Sequence, residues 1–248
     1  MFKEISISNG NPISSYNILL GIGMIAFFLT IEKIVKKNAI PFDLRDKIYS
    51  AVLFSAFFAV IGAILAEAIY HRNTEGLVFA GFTFYGGFVM SLVGLYIYSL
   101  TKKIDFLYLA NLLTLPIIIG HAFGRIGCFL GGCCYGTPTN SFLGVSFPVN
   151  SIPYAHYKDY SLHPTQLYES VFLFLLVLFL SRSKMENRFI GYLLSYSVFR
   201  FIVEFLRGDN RGVLFSNFLS PSQEISIGLF LIGLILVLKH KSSITKTF

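Results

Sequence analysis

The stretch Tyr108-Leu-Ala-Asn-Leu-Leu-Thr-Leu-Pro-Ile-Ile-Ile-Gly120 runs without a break into His121-Ala-Phe-Gly-Arg-Ile-Gly-Cys-Phe-Leu-Gly-Gly-Cys-Cys-Tyr-Gly136. The first half is as apolar as a membrane span. The second half carries Arg125 and five glycines: Gly124, Gly127, Gly131, Gly132 and Gly136. Glycine admits backbone conformations closed to other residues and lets another group approach the main chain closely. Arg125, at the end of a hydrophobic run, is a fixed cation whose planar fork suits a phosphate. The pattern predicts a pocket of non-helical backbone at membrane depth. Such backbone is tolerated only where protein or a watery cavity surrounds it.

Working outward, the rest of the chain is of the same kind. Of its 248 residues, 54% are hydrophobic and 13% charged, and the mean hydropathy is +0.67. A soluble domain carries about a quarter charged residues, so the chain reads as an integral membrane protein. Charge-poor stretches leave little room outside a bilayer, and a single transmembrane domain over residues 1–248 is expected. The net charge of +7 could point to nucleic acid. The basic residues sit in short loops between apolar runs, however, where they act as topology signals, and no nucleic-acid partner is expected. The polar first fifteen residues and the apolar run after them show no cleavage pattern, so that run is expected to stay as the first span.

Seven spans are expected, roughly at 16–35, 48–70, 82–101, 105–123, 164–182, 189–206 and 222–239, each near the ~20 residues a bilayer needs. With the N-terminus outside, the inner loops hold Lys33, Lys36, Lys37, Arg45 and Lys47, then Lys102 and Lys103, then Arg182, Lys184 and Arg188, and finally Lys239, Lys241 and Lys246. This bias predicts an all-α polytopic protein with its C-terminus in the cytoplasm and the glycine-rich motif on the outer face. The polar segment 137–163 is expected to form an arm or lid within that domain.

Topology does not account for Arg125, Arg200, Arg207 and Arg211. In the sixth span Arg200, Glu204, Arg207 and Arg211 are spaced by four, three and four, one stripe if the helix persists. An intramembrane charge costs about 2.5–3.5 kcal/mol on insertion scales, and Glu204 can offset part of that by pairing with Arg200 or Arg207. The stripe is either a structural ion-pair ladder or a seat for an anion, of which a phospholipid headgroup is the most available. In Leu162-His-Pro-Thr-Gln-Leu-Tyr-Glu169, Pro164 suits a first helical turn. Gln166 and Glu169 share a face there, with His163 just before them; a capped helix start is the plainer reading. Tyr85-Gly-Gly87 reads first as close helix packing, and Tyr16 as an interfacial anchor. Cys128, Cys133 and Cys134 make no disulfide framework, and adjacent Cys133 and Cys134 chelate poorly, so no metal is expected.

Three of these segments together resemble the bacterial phosphatidylglycerol–prolipoprotein diacylglyceryl transferases. Gly124-Arg-Ile-Gly127 through Tyr135-Gly136 is similar to the family's glycine–arginine signature. His163 to Glu169 is similar to its His-Pro-(Ser/Thr)-Gln-Leu-Tyr-Glu motif, and Arg200 to Arg207 to its Arg-Phe-x-x-Glu-Phe-x-Arg motif. The likeness extends from Tyr16 to Leu219-Ser-Pro-Ser-Gln-Glu-Ile-Ser226. Tyr85 stands where well-known members have histidine, and Cys128 where they have asparagine. A phenol is a poor general base at neutral pH.

The resemblance implies transfer of the diacylglyceryl group of phosphatidylglycerol to the lipobox cysteine of prolipoprotein signal peptides. A thioether forms, glycerol phosphate leaves, and no cofactor is needed. It implies a multi-pass protein of the bacterial cytoplasmic (inner) membrane with its active site towards the outer face. Arg125, Arg200, Glu204 and His163 are then the expected catalytic residues. Arg125, Gly124, Gly127, Gly136, Arg207, Tyr16, Tyr85, Gln166 and Glu169 are expected to bind phosphatidylglycerol. A lipid-binding or transport protein on the same scaffold, or a transferase for another thiol, are the alternatives.

Overall fold

A computed structural model describes residues 4–6, 12–70, 84–209, 214–216 and 218–245. After a short antiparallel pairing of β1 (Glu4–Ser6) with β2 (Pro12–Ser14), everything large is helical. The helices are α1 (Ser15–Lys37), α2 (Phe42–Tyr70), α3 (Phe84–Lys102), α4 (Phe106–Gly131), the short α5 (Ile152–Tyr157), α6 (Thr165–Arg182), α7 (Arg188–Val203) and α8 (Pro221–Thr245). Turns of 3-10 helix at Met185–Asn187 and Glu204–Leu206 flank α7. Among the described residues, seven helical stretches are long and apolar enough to cross a membrane. The chain is a multi-pass all-α membrane protein.

Two expectations about these helices need correction. The glycine–arginine run is not non-helical throughout: α4 continues through Gly124, Arg125 and Gly127 to Gly131. Only then does the chain leave the helix, with Gly132 at φ +70°, the left-handed conformation in which helices commonly end. The reason for glycine inside the helix is packing. A Cβ on Gly127 would lie 3.2 Å from the Tyr16 ring and 3.4 Å from Leu19, and one on Gly23 would lie 3.2 Å from the Gly120 carbonyl. α1 and the second half of α4 thus run antiparallel with their backbones close, as small residues allow in membranes. The second correction concerns the arginine stripe. α7 stops at Val203, and Arg207 is extended (φ −77°, ψ 137°), so Arg207 does not continue the helical stripe. Arg211 lies outside the described residues.

The chain divides into two compact units. One comprises 1–31, 115–183 and 198–210; the other comprises 32–114, 184–197 and 211–248. In the second, α2 and α3 pack antiparallel through small residues: a Cβ on Gly86 would run into Ala66 and the Gly62 carbonyl. Aromatic rings fill the rest, with Tyr192 and Tyr196 stacked at 5.3 Å and Phe88 edge-on to Tyr192. Asn111 accepts the Phe189 N–H at 2.8 Å. In the first unit Phe172 stacks on Phe199 at 4.0 Å, and the Ser170 hydroxyl donates to the Ala122 carbonyl. The segment 137–163 has a small core of its own, built with Tyr135, Phe147 and Leu162 and flanked by Phe129 and Tyr157.

Candidate active site

The first unit brings the three sequence motifs together through the backbone. Gly136 N–H donates to the His163 carbonyl (2.9 Å) and His163 N–H to the Thr137 carbonyl (3.0 Å). On the other side Thr137 N–H donates to the Leu206 carbonyl (2.8 Å) and Gly208 N–H to the Tyr135 carbonyl (3.0 Å). Gly136 therefore lies between His163 and Arg207. Glycine is required there, because a Cβ would sit 2.6 Å from the His163 Cβ and 2.6 Å from the Leu206 carbonyl. This lacing also explains the end of α7: residues that would have made its next turn are recruited to pair with Gly136.

Side chains tie the same segments. Thr165 donates to the Cys134 carbonyl (2.7 Å) and Gln166 Nε2 to the Cys133 carbonyl. Tyr135 and His156 share a hydrogen bond of 2.7 Å, and the Tyr157 hydroxyl donates to the Gly208 carbonyl. The first turn of α6 is thus pinned to the segment leaving α4, and the short helix α5 to that segment and to Gly208 beyond α7. Gln166 Oε1 is buried, and among the described residues no donor reaches it. A buried carbonyl of this sort is costly to leave without a partner.

Arg125, Arg200 and Arg207 of this unit each lie against a carboxylate. Arg125 Nε lies 2.9 Å from Glu169 Oε1 and donates at 3.3 Å to His121 Nε2. The Arg125 and Glu169 side chains are 8% and 1% exposed. Arg200 Nη1 lies 2.6 Å from Glu204 Oε2, so of the two partners open to Glu204 it takes Arg200. Arg207 donates Nε and Nη2 to the two oxygens of Asp209, at 2.8 and 2.7 Å. Two-pronged pairs of this type fix the plane of a guanidinium as well as its position. Burial works against the Arg207 charge, but the Cys134 sulfur and Asp209 outweigh it and raise its proton affinity.

The thiols form a further group. Cys128, Cys133 and Cys134 are free, and their three sulfurs all lie within 4.8 Å of one another. Hydrogen bonds from Cys128 and Cys133, with Arg207 and Arg125 behind them, hold the Cys134 thiol well below the usual range against the opposing effect of burial. The same sharing pushes Cys133 up.

The remaining expected residues are placed as follows. Tyr16 packs over Gly127 and Gly131, while Gly124 has open space beside it. His163 is half-buried, with Nδ1 3.1 Å from the Tyr168 hydroxyl. Tyr85 belongs to the second unit, where its buried hydroxyl meets Ser226 Oγ at 2.9 Å. The sequence reading did not pair His121 with Arg125, nor single out Asp209. His121 precedes Arg125 by one helical turn, and Asp209 follows Arg207 across one glycine; both spacings were readable.

A sequence profile described as "Prolipoprotein diacylglyceryl transferase" matches residues 4–239. The chain is similar to the phosphatidylglycerol–prolipoprotein diacylglyceryl transferase of Clostridium tetani, at 36% identity over 91% of this chain and 92% of that protein. It is also similar to the phosphatidylglycerol–prolipoprotein diacylglyceryl transferase 2 of Clostridium perfringens, at 34% over 92% and 91%. A Finegoldia magna protein of the same name is 30% identical over 96% of this chain and 95% of its own length.

Proposed function

The chain belongs to the prolipoprotein diacylglyceryl transferase family, and from that premise we propose how its own residues carry the transfer. It is a membrane transferase that moves the diacylglyceryl group of phosphatidylglycerol to a prolipoprotein thiol. The acceptor is the lipobox cysteine. Its sulfur attacks the glycerol carbon that bears the phosphate ester; a C–S bond forms, the C–O bond breaks, and glycerol phosphate leaves with the bonding electrons.

The observation that carries this reading is the buried Arg125–Glu169 pair, near the C-terminal end of the apolar helix α4 and in the same unit as the Arg200–Glu204 and Arg207–Asp209 pairs. Glu169, Glu204 and Asp209 orient the guanidinium groups. Arg125, Arg200 and Arg207 hold the phosphodiester and stabilise the charge that grows on the departing phosphate. Gln166 Oε1 accepts a headgroup hydroxyl and gains the partner it lacks among the described residues. Gly124, with open space beside it, gives the headgroup access to the backbone, while Gly127 and Gly136 are taken up by packing within the protein, with Tyr16 at the rim. Both carboxylates that could take the thiol proton, Glu169 and Glu204, are committed to guanidinium groups, so His163 receives it.

The N-terminus lies outside and the C-terminus inside the cytoplasmic membrane, which puts the site at the outer face. The antiparallel contact of Tyr16 with Gly127 supports one common face for the start of α1 and the end of α4. Expression in a bacterium depleted of its own diacylglyceryl transferase tests the reading. The unaltered chain is expected to restore growth and lipoprotein lipidation, and Arg125→Ala at equal abundance is expected to restore neither. Failure of the unaltered, membrane-inserted chain overturns the function; rescue by Arg125→Ala overturns the clamp.

A further inference from the structure

We propose that Cys128, Cys133 and Cys134 form a three-sulfur site for a soft d10 cation of the Zn²⁺ or Cu⁺ type. Their sulfurs lie within 4.8 Å of one another. A metal–thiolate bond of about 2.3 Å places the sulfurs of a tetrahedral or trigonal site roughly 4 Å apart. Closing three sulfurs around an ion therefore needs an adjustment of the order of an ångström.

The sequence alone argued against such a site, since successive side chains diverge and adjacent cysteines chelate poorly. The backbone removes that objection. Gly132 and Cys134 both have positive φ, +70° and +62°, so the chain curls back at the end of α4 in place of running on. A non-glycine residue in that region is uncommon and persists where its surroundings over-determine it. Here they do so. Cys133 N–H donates to the Cys128 carbonyl at 3.1 Å, Thr165 holds the Cys134 carbonyl, and Gln166 holds the Cys133 carbonyl. These contacts fix the backbone of the two adjacent cysteines with their sulfurs returned towards Cys128.

The chemistry of the donor set selects the ligand. Three thiolates favour Zn²⁺ and Cu⁺ over Mg²⁺, Ca²⁺ or Mn²⁺, which take oxygen ligands. Loading the site releases the thiol protons to water. The negative charge left on the sulfurs is offset in part by Arg207 and Arg125, both of which act on Cys134. Three protein ligands leave a fourth position open to an outside ligand. None of this rests on the transferase reading.

The test uses the full-length protein in detergent, reduced by a non-chelating phosphine and titrated with Cd²⁺, whose thiolate bonds absorb in the ultraviolet, and with Zn²⁺ as competitor. One equivalent of Cd²⁺ is expected to bind with thiolate-to-metal absorption and to be displaced by Zn²⁺ but not by a large excess of Mg²⁺. Cys128→Ser and Cys133→Ser are each expected to weaken binding at least about tenfold. Intact-mass counting of maleimide adducts on the unaltered protein guards against variants that do not fold: three adducts are expected without ion and none with equimolar Zn²⁺. Absence of thiolate absorption, three adducts in the presence of Zn²⁺, or unchanged affinity in Cys128→Ser overturns the site.

Discussion

The α2–α3 pair of one unit and, in the other, the second half of α4 with α6 and the end of α7 solve the same packing problem by opposite means. α2 meets α3 through Gly62, Ala66 and Gly86, backbone nearly against backbone, with rings such as Phe58 over Gly94 filling the remainder. In the other unit Arg125, Glu169, Arg200 and Glu204 are buried. The first arrangement shows that helices of this chain pack without buried charge. Ion pairs at such depth are therefore a poor device for stability alone, since desolvation consumes most of their attraction. Their presence, at the place where backbone hydrogen bonds join three motifs, is what the proposed phosphate clamp accounts for.

The sharpest way to break this comparison is at Arg200 and Glu204. Glu204→Leu alone strands a buried cation and is expected to lower stability by about 3–5 kcal/mol. The double change Arg200→Met with Glu204→Leu is expected to return stability to within about 1–2 kcal/mol of the original while transfer stays lost. Unfolding of the detergent-solubilised protein, measured beside transfer, reads both. A double variant that transfers normally would make the pair merely structural.

Gly86→Leu probes the other side. The added side chain must displace Ala66 or the Gly62 backbone, and overpacking of this kind costs about 1–3 kcal/mol. Transfer per folded molecule is expected to be unchanged; a specific loss of transfer in the folded fraction would mean that the α2–α3 contact serves the reaction directly. The smallest effect is expected from Tyr85→Phe, which removes one buried hydrogen bond to Ser226, about 1 kcal/mol, and changes transfer no more than a few-fold. A hundredfold loss would return Tyr85 to the reacting groups.

Much of this was legible in the sequence, and the parts that were not share a cause. Seven spans follow from apolar run lengths. The Arg200–Glu204 pair follows from a spacing of four. Glycine was ambiguous: in 121–136 it signalled an irregular backbone, whereas Gly127 lies within α4 and admits Tyr16, and only Gly132 and Gly136 need what glycine alone allows. Arg207 was placed on a helical stripe because nothing local ends α7 at Val203; a distant pairing with Gly136 does. Glu169 read as a helix-start carboxylate, and its partner Arg125 is 44 positions away in sequence. Local propensity is visible in a sequence, but backbone pairing between remote segments is not.

The most direct measurement is transfer by the purified chain in lipid vesicles, with a lipobox-cysteine peptide as acceptor and mass spectrometry as the readout. In phosphatidylglycerol vesicles the peptide is expected to gain one diacylglyceryl group in thioether linkage, with one glycerol phosphate released per adduct. Vesicles of phosphatidylcholine alone are expected to give none. No adduct from the folded protein in phosphatidylglycerol, or equal adduct in both vesicles, would contradict a site built to bind and cleave that headgroup.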